Sequence, residues 1–221
     1  MKAFAIILAI SLTTLARADE GMWLLDQLPR AELEKCYGFS PDDRWVEHVR
    51  LAAVRVGASG SLVSARGLVM TNHHVARDCI EELSSPEKDY IRDGFLARTE
   101  AEELRCPDEE VAQLVAITDV STRIAKATAG LADERWNAAE KAEMSRIEKE
   151  CGASDTVRCD VVRLHNGGLH HLYRYRRYQD VRLVFAPEDA APDFGGDPDN
   201  FNFPRYAFDV AFLRAYENGK P

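Results

Sequence analysis

The most constraining feature of the sequence is a succession of short runs rich in β-branched and aromatic residues, separated by tight turns. The turns are small and contain glycine, as at 57–60 and 66–67. This pattern predicts strands over 51–56, 61–65, 68–71, 111–120, 157–164, 169–175, 180–185 and 207–216. Many short strands with tight connections favour a mainly β fold, an antiparallel barrel or a sandwich.

Three further stretches predict helices added to this sheet, over 29–36, 85–94 and 121–150. Pro29 and Gly38 are typical of the first turn of a helix and of the position after its last turn. Ser85 is the expected N-cap of the second helix. The third stretch is rich in Ala, Glu, Lys and Arg, and Asp133 can cap a helix within it. We therefore expect a helical insertion over 121–150, between barrel strands that lie within 19–120 and 151–221.

The first 18 residues have the order of a secretory signal peptide. Lys2 precedes an apolar run over 3–15, and the small residues Ala16 and Ala18 come just before an acidic pair. The run is shorter than the roughly 20 apolar residues that a membrane-spanning helix needs. We therefore expect export of the protein, with cleavage after Ala18.

The charge of the chain is acidic, with 28 Lys and Arg against 37 Asp and Glu and a formal net charge of −9. Signal cleavage removes Lys2 and Arg17 and no acid, which takes the net charge to −11. Nucleic acid and anionic membrane surfaces bind through Lys and Arg that neutralise phosphates. The composition therefore argues against both as partners.

Five cysteines follow the predicted signal peptide, at Cys36, Cys79, Cys106, Cys151 and Cys159. Export would place them in an oxidising compartment, where disulfides persist. Cys151 and Cys159 bracket a short loop and are the best candidate pair, while the pairing of the other three stays open. The chain has no Cys-x-x-Cys motif, which argues against a zinc knuckle or a thioredoxin-type site.

The segment over 57–76 delivers Thr71, Asn72, His73 and His74 at the end of a predicted strand. A histidine there can act as a general base, because its ordinary pKa lies near neutrality and the strand end fixes its ring at the edge of a cleft. Adjacent residues on an extended chain point to opposite faces. Only one of the two histidines can therefore line a given site.

An acid that could orient such a histidine is Asp209, which lies where a predicted strand turns apolar. A catalytic triad needs a carboxylate that holds the imidazole tautomer and stabilises its charged form. A carboxylate is costly to bury without a partner, and an imidazole N–H is a suitable one. We expect the side chains of His74 and Asp209 to lie within hydrogen-bond reach.

The histidine segment resembles the histidine motif of chymotrypsin-like serine peptidases, in which a Gly-Ser-rich strand leads through a hairpin to Thr-Asn-x-His. In that alignment His74 is the base and His73 its neighbour. Six segments of the chain are similar to the bacterial dipeptidyl-peptidase 7 and 11 family. They are Met22-Trp23, GSLVSARGLVMTNHHVA, Lys88-Asp89-Tyr90, Asp93-Gly94-Phe95, Tyr173-Arg174-Tyr175 and FGGDPDNFNFPRYAFD.

This resemblance implies an exported bacterial serine aminopeptidase, periplasmic or secreted, that removes dipeptides from oligopeptides with a free N-terminus. It implies a chymotrypsin-like double barrel with an inserted helical domain, and no cofactor. His74 and Asp209 match triad members of the family, and Asn200 and Phe201 match residues that hold the N-terminus of the substrate. The oligomeric state stays open, a homodimer of the full-length enzyme included.

The chain also departs from the family. A Cys is common where this chain has Val75, and Trp is common at Phe201 and Phe203, which affects fine specificity more than class. Members of the family are much longer, and their nucleophilic serine lies beyond the position of residue 221. No serine occurs over 210–221. The resemblance therefore implies that this chain holds the first barrel, lacks the nucleophile and is inactive alone.

Two other functions remain open from the sequence. The first is a secreted metal-binding protein that uses His73 or His74 together with His170 or His171. Zinc normally requires three or four protein ligands, and these pairs lack a helical His-x-x-x-His spacing. The second is a non-catalytic binding module built on a peptidase barrel.

Overall fold

The computed structural model of the chain describes residues 23–194 and 206–221. By backbone contacts the chain divides into two units, Met1–Asp42 and Asp43–Pro221. The described part of the first unit contains a 3-10 turn, Leu25–Gln27, and helix α1, Arg30–Tyr37. Gly38 ends α1 with a left-handed backbone (φ 62°), which glycine adopts without strain. The helix predicted over 29–36 is confirmed, and the predicted signal peptide lies outside the described residues.

The helices of the second unit lie around a single sheet. They are α2 (Asp43–Ala52), α3 (His73–Leu83), α4 (Tyr90–Asp93), α5 (Ser121–Thr128) and α6 (Asp133–Glu150), with 3-10 turns at Glu100–Glu102 and His165–Gly167. Within the part of the chain that the structure describes, no helix is long and apolar enough to cross a membrane.

The described strands of the second unit all belong to that sheet. They are β1 (Ala53–Val56), β2 (Ala58–Leu62), β3 (Leu68–Thr71), β4 (Phe95–Leu96), β5 (Leu104–Arg105), β6 (Val111–Asp119), β7 (Val157–Leu164), β8 (Leu169–Tyr178), β9 (Asp180–Ala186) and β10 (Ala211–Tyr216).

The strands pair in the order β4-β9-β10-β3-β2-β1-β6-β8-β7, with β5 also on β9, and each pairing is antiparallel. The prediction of a mainly antiparallel β fold with added helices is confirmed. Among the described strands the hydrogen-bonded path is open and does not return on itself. The pairing of β3 with β10 sets Thr71 opposite Ala211. This register brings the residues that follow Thr71 next to those that precede Ala211.

The core of the sheet is aliphatic and continues onto α3. Val56, Val69, Leu183 and Leu213 are fully buried on one face of the strands, and Ile80 of α3 packs with them. Burial of one such side chain stabilises the fold by about 1.5–3 kcal/mol. The helix that bears the two histidines is therefore fixed to the sheet by its apolar face.

A disulfide between Cys79 and Cys106 lies in the same core. It links α3 to the segment after β5, where the backbone N–H of Cys106 donates to the carbonyl of Val181 at 2.9 Å. Cys36 takes part in neither of the two disulfides of the structure.

The helices α5 and α6 occupy the stretch over 121–150 and lie against the outer strands of the sheet. A small apolar cluster of Ile124, Ile147 and Val161 joins them to β7. The fully buried carboxylate of Glu140 contacts His170 of β8 at 2.8 Å. The end of α6 is joined to β7 by a disulfide between Cys151 and Cys159, the pair that their short spacing favoured.

Four predicted elements differ from the structure. The strand predicted over 61–65 is β2, which covers Ala58–Leu62 and includes most of the predicted turn at 57–60, and the strand predicted over 207–216 begins only at Ala211. The other two differences concern α2 and α4. Residues 43–52 form α2, so the strand predicted from residue 51 begins only at Ala53. Contacts with β6 stabilise this helix, because Arg50 Nη1 donates to the carbonyl of Leu114 and Gln113 Nε2 donates to that of Leu51, both at 2.8 Å.

The last difference concerns the helix predicted over 85–94. Ser85 closes a tight turn with Lys88 and caps no helix. The helix is the single turn of α4, and its N-cap is Asp89, whose Oδ1 accepts from the backbone N–H of Arg92 at 3.0 Å.

Candidate active site

The two adjacent histidines open helix α3 and do not continue strand β3, so the expectation of extended histidines is wrong. Asn72 stands at the N-cap position with an extended backbone (φ −79°, ψ 151°), and His73 is the first helical residue. Asn is a preferred N-cap residue. Ala76, Cys79, Ile80 and Leu83 follow at the spacing of one helix face, which is the sequence signal that predicts a helix here.

The expectation that only one histidine can line a site nevertheless holds. The side chain of His73 is 1% exposed and faces the protein interior, whereas that of His74 is 68% exposed. The first turn of α3 therefore presents one imidazole to solvent and buries the other.

Asp209 lies two residues before β10 and meets His74 across the β3–β10 pairing. The Nδ1 atom of His74 is 2.7 Å from Oδ2 of Asp209. The backbone N–H of His74 donates to Oδ1 of the same carboxylate at 3.1 Å. Asn72 Nδ2 donates to Oδ2 at 3.3 Å and to the backbone carbonyl of Asp209 at 3.1 Å. The expected contact between the two side chains is present although 135 residues separate them.

The carboxylate of Asp209 also caps α3. The side chain of Asn72 makes no capping hydrogen bond of its own, and Asp209 takes that place by accepting the N–H of His74. A negative charge is favourable at a helix N-terminus, where backbone N–H groups and the helix dipole point at it. Burial raises the pKa of Asp209, but the hydrogen bonds from the backbone and ring of His74 outweigh burial and hold the pKa below its usual value.

This geometry fixes the tautomer of His74. An ionised carboxylate only accepts hydrogen bonds, so Nδ1 of the neutral ring carries the proton. The Nε2 atom is then the acceptor, on a side chain that is largely exposed. The pair can take a proton from a hydroxyl at Nε2 while the carboxylate stabilises the imidazolium that forms.

His73 and Asp189 form a second group behind this pair. Nδ1 of His73 lies 4.0 Å from Oδ1 of Asp189, and Arg77 Nη1 donates to the same oxygen at 2.6 Å. Burial lowers the pKa of His73 more than the nearby carboxylates of Asp189 and Asp209 raise it. His73 is therefore a neutral buried ring near neutral pH. No sequence pattern marks Asp189 as a site residue, since it lies in a loop with several other acids.

Serines in the described residues do not complete a triad. Ser59 and Ser61 lie within β2 and pair with β1 and β3. Over 23–194 and 206–221, no serine hydroxyl forms a hydrogen bond with the ring of His74.

The structure adds no support for the remaining predicted site residues or for the metal-binding alternative. Asn200 and Phe201 lie outside the described residues. His170 is buried against Glu140. In the described ranges, no three His, Cys, Asp or Glu side chains stand together in a way that could hold a metal ion.

An open depression of about 400 Å³ lies beside Phe208, the residue that precedes Asp209, and is lined by both apolar and charged residues. Phe208 is more than half exposed and packs edge to face on Phe185, with ring centroids 6.3 Å apart. Phe95 and Leu96 of β4 line the depression on its other side.

The chain is similar to known peptidases over nearly its whole length. A model of the peptidase S46 family matches residues 18–221. Dipeptidyl-peptidase 7 of Porphyromonas gingivalis is 33% identical over 98% of this chain and 32% of its own length. The Asp/Glu-specific dipeptidyl-peptidase of Shewanella putrefaciens is 35% identical over 98% of this chain and 31% of its own length.

Comparison with solved structures also finds matches over nearly the whole chain. The crystal structure of Porphyromonas endodontalis DPP11 matches with a TM-score of 0.77 and 29% identity, over 92% of this chain and 31% of that one. Its alternate conformation matches with a TM-score of 0.78 and 28% identity. The chain spans about a third of the length of the curated relatives that it matches.

Proposed function

The chain belongs to the peptidase S46 family, and from this membership we propose that it carries the base and the orienting acid of a serine-type dipeptidyl-peptidase. The substrates are oligopeptides with a free N-terminus, from which the enzyme releases dipeptides. The observation that carries the proposal is the contact of 2.7 Å between His74 Nδ1 and Asp209 Oδ2, on a histidine whose ring is open to solvent.

In this mechanism a serine hydroxyl attacks the carbonyl of the scissile peptide bond while Nε2 of His74 takes its proton. The proton then passes from Nε2 to the leaving amine. The carboxylate of Asp209 accepts the hydrogen bond from Nδ1–H of His74 and stabilises the imidazolium during both proton transfers. No serine occurs over 210–221, and none of the described serines contacts His74. The 221-residue polypeptide tested alone is therefore expected to be inactive.

Two finer elements belong to the same proposal. The amide of Asn200 accepts a hydrogen bond from the ammonium group of the substrate, and Phe201 supplies an aromatic wall beside it. The protein is exported to the periplasm or the medium of a bacterium, where its two disulfides persist.

The test is hydrolysis of fluorogenic dipeptidyl substrates by the protein expressed from the complete gene that encodes these residues, called the gene product below. His74→Ala should reduce kcat/KM by a factor on the order of 10³ or more, because the base is lost. Asp193→Asn is the control, since Asp193 is exposed and, among the described residues, is not one of the hydrogen-bond partners of His74 or Asp209. Hydrolysis that survives His74→Ala unchanged would exclude the proposed base.

A further inference from the structure

We propose that Asp189 is a positioning residue that holds His74 and Asp209 in register with each other. The proposal rests on the proposed function, because it assigns a role within the same site. It concerns the segment over 189–191, which follows β9 and contacts both the helix that bears His74 and the residue that precedes Asp209. Among the described residues, the hydrogen bonds of this segment to other elements go to Arg77, Ile91 and Phe208 and not to the ring of His74 or the carboxylate of Asp209.

The first contact of the segment is with the helix that bears the base. Oδ1 of Asp189 accepts from Arg77 Nη1 at 2.6 Å and lies 4.0 Å from Nδ1 of His73. Arg77 and His73 are one turn apart on α3, and they lie on either side of His74 in the sequence. Asp189 therefore binds the first turn of α3, the turn that presents the exposed imidazole.

The second contact is with the strand that bears the acid. The carbonyl of Ala191 accepts from the backbone N–H of Phe208 at 3.0 Å, and Phe208 directly precedes Asp209. The backbone N–H of Asp189 donates to the carbonyl of Ile91 at 2.9 Å, which fixes the segment on α4 as well. The segment is thus hydrogen-bonded within one residue of the acid and within one turn of the base.

The contact of Asp189 with α3 is charged and partly screened from water. The side chains of Asp189 and Arg77 are 27% and 41% exposed, and the ring of His73 beneath them is fully buried. The Nε2 atom of that ring has no hydrogen-bond partner among the described atoms. The His73 ring also has a hydrogen bond with the backbone of Pro187, two residues before Asp189. Asp209 holds the first N–H groups of α3, and Asp189 with Arg77 adds a second polar contact to the same end of the helix from the segment that follows β9.

The consequence concerns distance. His74 and Asp209 belong to elements far apart in sequence, so their register depends on packing between them. A displacement of about 1 Å at a reacting group can lower a rate about 100-fold. Loss of Asp189 should leave His74 and Asp209 in place but less well aligned with each other. The expected result is a lower kcat and an unchanged KM, because no contact with the substrate is removed.

The first experiment measures the alignment directly and needs no peptidase activity. In the chain labelled with ¹⁵N-histidine, the proton on His74 Nδ1, hydrogen-bonded to Asp209, should give a far-downfield NMR signal that Asp209→Ala removes. Asp189→Ala and Arg77→Gln should each move or broaden this signal while the spectrum of the remaining chain stays folded. Asp193→Asn, the same loss of charge four residues along, should leave it unchanged.

The second experiment is kinetic and uses the gene product that carries this chain. Asp189→Ala should lower kcat per titrated active site by about 10- to 100-fold, and Asp189→Asn, which keeps an oxygen acceptor for Arg77, should restore part of the loss. An unchanged His74 signal in Asp189→Ala overturns the proposal, as does global unfolding of the chain or a rise in KM at constant kcat. If the signal responds as expected but His74→Ala leaves hydrolysis intact, the proposed function fails and the positioning contact stands.

Discussion

Asp209 is joined to His74 twice, through the ring at 2.7 Å and through the backbone N–H at 3.1 Å. One carboxylate therefore orients the imidazole and caps the helix on which that imidazole lies. The two functions depend on different properties of the side chain. Orientation of an imidazolium needs the negative charge, whereas capping needs only an oxygen acceptor.

The first prediction separates these two functions by two substitutions at one position. Asp209→Asn keeps an acceptor for the cap but loses the charge and can hold the wrong imidazole tautomer. We expect kcat of the gene product to fall by about 10⁴-fold, with a smaller loss of stability than Asp209→Ala causes, because the acceptor for the helix cap remains. Asp209→Ala removes the cap as well and should lower the free energy of unfolding by about 1 kcal/mol. Urea unfolding of the chain and steady-state kinetics measure the two effects.

The result that would contradict this reading is a large loss of stability in Asp209→Asn. The carboxylate would then stabilise the fold through its charge, and the helix cap would not depend on an acceptor alone.

The second prediction concerns the dependence of stability on pH. Burial lowers the pKa of His73 in the folded chain, so the unfolded chain binds the proton more readily. The free energy of unfolding should therefore rise with pH between the lowered folded pKa of His73 and the unfolded value of about 6.5. His170 has a pKa lowered by burial and by Arg163 and contributes in the same window. His73→Gln should reduce this slope in urea unfolding measured at several pH values.

His48→Gln is the control for that experiment, because His48 is an exposed residue of α2. It should leave the slope as it is. A slope that is equally steep after His73→Gln would mean that His73 does not contribute to this pH dependence.

The sequence predicted the long strands and the helical stretches over 29–36 and 121–150, but it missed the helices α2 and α3 and the short strands β4 and β5. The strand over 68–71 is bounded by the Gly67 turn, and its ends are those of β3. The helix α2 was not predicted, and the strand predicted from residue 51 includes Leu51 and Ala52, which are the last two residues of that helix. What selects the helix is its hydrogen bonding to β6, which lies about 60 residues away along the chain.

The candidate site was predictable only in part for the same reason. The residue types and motifs of His74 and Asp209 were sufficient to expect their contact. Asp189 was missed because its partner Arg77 is 112 residues away and no local pattern marks the pair. The pairing of Cys79 with Cys106 also stayed open, since it depends on the hydrogen bond that places Cys106 on β9.

The third prediction compares the two disulfides. The bond between Cys79 and Cys106 closes 27 residues of sequence and lies in the core, whereas that between Cys151 and Cys159 closes 8. Chain entropy alone assigns about 3.5 kcal/mol to the first and about 2.5 kcal/mol to the second. Replacement of Cys79 and Cys106 by Ala also leaves a cavity in the core, which adds to the loss. Urea unfolding of the two double-Ala variants should therefore show the larger destabilisation for the core pair, and equal losses would contradict it.

The last prediction tests how the substrate is read. An enzyme that releases dipeptides must detect a free α-amino group two residues from the scissile bond, and this requires a hydrogen-bond acceptor at a fixed distance from the base. Asn200 precedes Asp209 by nine residues in the sequence, and its amide oxygen can accept from the ammonium group. In the gene product, Asn200→Ala should raise KM or lower kcat/KM for peptides with a free N-terminus by about 10-fold or more, since a hydrogen bond to a charged group contributes about 1.5–3 kcal/mol. The same peptides with an acetylated N-terminus are the control, because they offer no ammonium group to lose. An equal loss on both sets would mean that Asn200 shapes the turn and does not read the amine.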